Sequence, residues 1–206
     1  VFENWQTPDF IDTTPYNIMS QSDTSALFSK DLVTENYSGT VFSIRIEREV
    51  SILGNEFISK LLDEDITGLK CVAYKSDNRL INKGKEPWKK ETGLLSVWML
   101  GMFNPASSVI VVIPVRPGDE NKLGPKVNDN YFGKIGADRL KVQGDHIFFR
   151  ADGKSRGKIG IPPLRSTGKM GSYDSDNRIL TLLICRMAEG KSDYVNSSWQ
   201  IQENPY

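Results

Sequence analysis

Histidine is almost absent: the 206 residues hold one, His146. That excludes a multi-histidine metal site, or an acid–base pair of two histidines, within this chain. Cysteine is nearly as scarce. Cys71 and Cys185 are the two, with no Cys-X-X-Cys pair and no Cys/His cluster, so no zinc site is expected, nor any other metal or cofactor. Both cysteines fall in apolar segments, residues 69–74 and 179–187, which favours buried free thiols over a long-range disulfide. Net charge is missing too: 26 Lys and Arg balance 26 Asp and Glu. That argues against a nucleic-acid or anionic-membrane partner, although a local patch stays open. No apolar run reaches the ~20 residues of a transmembrane helix, and no segment of the chain reads as a signal peptide. Internal repeats, low-complexity tracts and linker-like charge blocks are lacking, so residues 1–206 read as a single domain.

What the chain has is turns. Seventeen Gly and ten Pro, spread between short apolar runs, favour β structure. Residues 1–15, with Phe2, Trp5, Phe10 and two prolines, read as an aromatic extended segment. Residues 16–22 and 24–30 alternate around Ser22-Asp23, a hairpin pattern. Residues 40–53 alternate for longer, with Phe42, Ile44, Ile46, Val50 and Ile52 on one face. Arg48 interrupts that face, either reaching water along its stem or pointing into a cleft. Residues 55–63 are the one good helix candidate, with Asn55 as cap. Residues 69–74 and 79–82 read as strands around a turn at Ser76-Asp77-Asn78. Residues 91–105 carry no charge beyond Glu91 and read as a buried, bent strand around which the fold is organised. Residues 109–115 are a second buried strand. A long polar loop over 116–133 follows, of a kind that is often functional. Residues 139–142 and 146–151 form a hairpin, 178–187 a continuous buried strand, and 193–201 a last strand with Tyr194 and Trp199. The class is all-β: antiparallel sheets in a sandwich with one short helix.

Few motifs carry chemistry. Gly153-Lys154-Ser155 ends like a phosphate-binding loop, but Phe148 stands where its first glycine is needed. Asp174-Ser175-Asp176-Asn177-Arg178 begins like a calcium loop, but Arg178 occupies a ligand position, so a turn is expected. Arg150, Lys154, Arg156 and Lys158 are a basic cluster. It reads as a solvated hairpin flank or as recognition of an anionic or hydroxyl-rich ligand. Trp98, Tyr131, Trp88 and Trp199 are suited to stacking on sugar faces, although such residues are more often core. If a cleft exists, its wall is expected from Arg48, Trp98, Asn104, Tyr131, Arg139, Lys154 and Arg156. These lie at strand edges or in the long loop.

The strand at 42–53, the segment Asp77 to Trp88 and the window Leu100-Gly101-Met102-Phe103-Asn104 resemble galactose mutarotase-like (aldose-1-epimerase-like) β-supersandwich proteins. Phe103 and Asn104 match a His-Pro-Tyr-Phe-Asn motif of that family. Three further segments are similar to a bacterial branch of the superfamily: Glu91 to Pro105, Asp152 to Gly160, and Asp193 to Tyr206. The resemblance implies a supersandwich fold, a carbohydrate ligand and an exported protein. It also implies that the chain is the central part of a longer polypeptide. Leu100 stands where the family has its catalytic histidine, and the family's glutamate belongs to a later strand. Mutarotation needs both an acid and a base. The resemblance therefore implies sugar binding or noncanonical sugar processing ahead of ordinary epimerase activity. A structural sandwich domain without a small-molecule site is the opposing expectation.

Overall fold

The computed structural model describes residues 8–36 and 38–186, and the chain divides into two compact units, residues 1–100 and 101–206. It is all-β, with two antiparallel sheets of the kind a β-sandwich is built from and three short helices. The strand expected at 193–201 lies outside the described residues.

The first unit is a meander. Strands β1 (Asn17–Gln21), β2 (Ser25–Glu35), β3 (Val41–Leu53) and β4 (Ala73–Asn82) pair in chain order. The alternation at 40–53 sets the register. Phe42, Ile44, Ile46 and Val50 share a face with Leu32, Leu80 and Ala26 across the ladder, and Phe42 and Ile44 are buried. The opposite face is charged: Arg45 grips Asp31 with two bonds of 2.6 and 2.7 Å. Lys30 falls on the apolar face, opposite Ile46, yet is buried. A buried ammonium needs acceptors. It donates to the Phe10 carbonyl and, at 2.6 Å, to that of Thr14, and it sits over the Tyr16 ring. These bonds hold the segment 9–14, where a single helical turn, α1 (Asp9–Asp12), replaces the extended run expected there.

Helix α2 (Asn55–Leu62) follows β3 as expected, with Ile58 buried, but Gly54 rather than Asn55 is its cap. The expected turn at Ser76-Asp77-Asn78 is absent. These residues lie inside β4, which pairs with β3 over its whole length; ladder hydrogen bonds override a local turn preference. Residues 91–105 correct the expectation more sharply. They form no buried strand: Gly93 has φ +108°, no strand is assigned there, and Trp98, Leu100, Met102 and Phe103 are exposed. The run has no period-two alternation to fix a register, and the interior strands are paired on both sides by other segments.

The second unit orders its strands β6-β7-β5-β8-β9, from β5 (Ile110–Pro114), β6 (Leu140–Gln143), β7 (His146–Arg150), β8 (Lys169–Asp174) and β9 (Ile179–Ile184). Ile113, Val115 and Ile147 form the core, packed by Val111, Val127, Leu140, Ile159 and Ile161. Helix α3 (Glu120–Leu123), capped by Asp119, interrupts the long loop. Arg165 is 1% exposed. Its guanidinium donates to the carbonyls of Gly124 and Arg116, each at 2.9 Å, and so ties three loops together. β9 is a strand as expected but not a buried one: among the described residues it is the outermost strand of its sheet, and its Ile179, Leu180 and Leu182 are exposed. Residues 174–178 form the expected turn, with the Asp174 carboxylate accepting from the Asp176 and Asn177 amides. Cys71 and Cys185 are free thiols, but both are exposed, not buried.

Candidate ligand-binding site

Two arms of the second unit meet beside the β6–β7 hairpin. Asn128 and Gly160 exchange backbone hydrogen bonds of 2.9 and 2.8 Å. From that bridge the arms run on antiparallel. Phe132 on one arm and Arg156 on the other each stand four residues beyond it, and they meet: the guanidinium lies 4.0 Å from the ring centre. Next to them Lys158 places its ammonium 3.7 Å from the centre of Tyr131. The two rings pack edge to face, 4.5 Å apart. Lys154, Arg156 and Lys158 alternate along their arm, a spacing that puts them on one side where the chain is extended.

Carboxylates brace the arms from beneath. Asp129, buried, accepts from Lys134 Nζ at 2.7 Å and from the Ile135 amide. Arg139 forks onto Asp152 at 2.6 and 3.1 Å, and the Lys154 amide donates to the same carboxylate. The Arg139 bond, with help from that amide, holds Asp152 far below the usual carboxylate range. The Lys134 bond does the same, less strongly, for Asp129. Gly153 turns the chain at φ +72°, and a Cβ there would sit 2.9 Å from the Pro105 ring. Gly157 lets the arm lie close over Ile135 and Phe149.

Lys134 and Arg139 are thus neutralised in place. Arg156 and Lys158 are not: among the described residues neither has a carboxylate partner, and each is held by an aromatic face. Burial pushes the Lys158 ammonium down from its ordinary pKa. The arrangement is a fixed pair of cations on a small aromatic base, suited to hold an anionic or hydroxyl-rich ligand by charge-assisted hydrogen bonds.

Of the residues expected at a cleft wall, the structure brings Tyr131, Arg139, Lys154 and Arg156 to these arms. Asn104, exposed, precedes Pro105, which touches the Gly153 turn. Arg48 and Trp98 belong to the first unit, where Arg48 is exposed on β3 opposite Phe28 and Asn78 and reaches water. Trp88 lies edge-on to Phe42 and lines a shallow cavity of about 360 Å³ with Thr40, Ser43 and Asn82. The expected cleft wall left out Phe132, which Arg156 covers, and Lys158, which covers Tyr131. The alternation of basic residues at 154, 156 and 158 was the available signal. Among the described residues no cluster of three or more His, Cys, Asp or Glu could hold a metal ion. No described helix is long and apolar enough to cross a membrane. No curated protein and no solved structure matches the chain. The family model that matches, over residues 1–206, is described as a family of unknown function (DUF6786).

Proposed function

We propose that this chain, which belongs to the DUF6786 family, binds or noncanonically processes a carbohydrate in the manner of mutarotase-like proteins. The observation that carries the reading is the pair of arms. Tyr131, Phe132, Arg156 and Lys158 offer donors and aromatic edges on one small surface, the mixture that hydroxyl-rich ligands require. The Leu100 side chain is exposed and has no proton to give or take, so ordinary aldose epimerisation is not part of the proposal. The test is calorimetry with a panel of neutral and acidic monosaccharides on the whole chain. Binding that weakens in Tyr131→Ala and Arg156→Ala, with folding intact, supports the reading. A panel with no binder at all sinks it.

One observation favours a second reading, a structural domain of a larger assembly. Among the described residues β9 is the outermost strand of its sheet, with exposed Ile179, Leu180 and Leu182. An apolar edge of that kind is a surface for pairing with other protein. Concentration-dependent association abolished by Leu180→Lys, together with an empty sugar panel, would select it.

A further inference from the structure

We infer that the sugar taken by the two arms is an acidic one, a uronate, whose carboxylate binds between Arg156 and Lys158. The inference rests on the carbohydrate reading and narrows it.

A neutral sugar is recognised by open ring faces together with carboxylate or amide acceptors for its hydroxyls. Here each ring has one face taken by a cation: Arg156 over Phe132 and Lys158 over Tyr131. The two carboxylates that brace the arms are consumed within the protein, Asp129 by Lys134 and Asp152 by Arg139. What the arms present is therefore donors, and the acceptors must come from the ligand.

Three features point to a carboxylate among those acceptors. Arg156 keeps its fork of N–H donors clear of any protein carboxylate among the described residues, and a planar fork matches a planar carboxylate. Lys158 is partly desolvated and has no counter-charge bound to it among the described residues, a cost that a bound anion removes. The rings fix both cations, so little side-chain entropy is lost when the ligand arrives. Two anchored cations on rings set nearly at right angles, 85°, provide two separated points of attachment. The carboxylate lies between them, one oxygen towards each cation.

The experiment titrates the full chain with D-galacturonate, D-glucuronate, D-galactose, D-glucose and acetate. It is repeated on Arg156→Gln, Arg156→Lys and Lys158→Met, with circular dichroism and melting temperature confirming the fold. A uronate should bind at least about tenfold more tightly than its neutral counterpart and than acetate. Arg156→Gln and Lys158→Met should each weaken the uronate about tenfold or more and the neutral sugar clearly less. Arg156→Lys, which keeps the charge but loses the fork, should fall between. Neutral sugars that bind as well as uronates, and lose as much affinity in these variants, overturn the inference and leave the carbohydrate reading standing. Acetate as tight as a uronate overturns it by showing that only charge is read. No binding by any sugar overturns both.

Discussion

Replacing Arg165 by methionine should cost the second unit about 3 kcal/mol, an unusually large loss for a residue outside any strand. Methionine keeps most of the volume of the apolar stem, so the change isolates the guanidinium. The guanidinium bonds the carbonyls of Gly124 and Arg116 in a site that is 1% exposed. Each carbonyl left without a partner costs roughly 1–3 kcal/mol. Against that, methionine has no buried charge to desolvate, which returns part of the loss. The net, ~2–4 kcal/mol, should lower a urea midpoint by about 0.7–2.7 M for an m-value of roughly 1.5–3 kcal/mol/M. Arg165→Lys should fall between, because a single ammonium cannot reproduce two bonds made from different nitrogens of a planar fork. Equilibrium unfolding in urea, followed by tryptophan fluorescence and circular dichroism, reads all three proteins. If Arg165→Met loses less than about 1 kcal/mol, the three loops are not held by this side chain and the reasoning fails.

Other expectations are simpler to state. Asp152 has its folded pKa pushed down by Arg139, so its stabilising contribution is complete above the ordinary carboxylate pKa of about 4 and is lost as the pH falls below it. Asp152→Asn should therefore lower the melting temperature at pH 7 and flatten its fall between pH 5 and 3; an unchanged slope would show that the bridge is not a source of acid sensitivity. Ile147 is fully buried, and Ile147→Ala should destabilise by about 2–5 kcal/mol in the same urea assay. Gly153→Ala forces a Cβ into a left-handed turn and onto Pro105; it should destabilise by more than ~1 kcal/mol, whereas Gly54→Ala, with open space around it, should not. Both thiols should react with maleimide in the native protein at comparable rates, read by peptide mapping; protection of either contradicts its exposure.

The parts of the fold that were legible in the sequence are those written by alternation. β3 announces itself because Phe42, Ile44 and Ile46 must share a side, and the hairpins at β1–β2 and β6–β7 follow from polar turns between alternating runs. β4 was not legible, because Ser76, Asp77 and Asn78 carry turn chemistry that ten residues of pairing with β3 overrule. Residues 91–105 misled for the opposite reason: an apolar run without a period names no partner. The exposed cysteines share that cause, since apolar neighbours in sequence do not ensure burial at a sheet edge. At the site, the basic alternation at 154, 156 and 158 was visible. Which rings it meets was not, because that depends on the bridge between Asn128 and Gly160.

The strand orders of the two units carry a consequence for synthesis. In the first sheet every strand pairs with its predecessor, so each ladder closes a short loop, the longest being the α2-containing connection between Leu53 and Ala73. Local pairings of this kind form fast, and a ribosome delivering the chain can release that sheet complete once residue 82 has cleared the exit. The second sheet cannot build in the same way. β5 is made first but takes β7 and β8 as its neighbours, so its apolar Val111 and Ile113 wait for residues 146–150 and then 169–174. Until they arrive, β5 is an unpaired hydrophobic strand. The slow and aggregation-exposed step in making this protein therefore belongs to the half that carries the two arms.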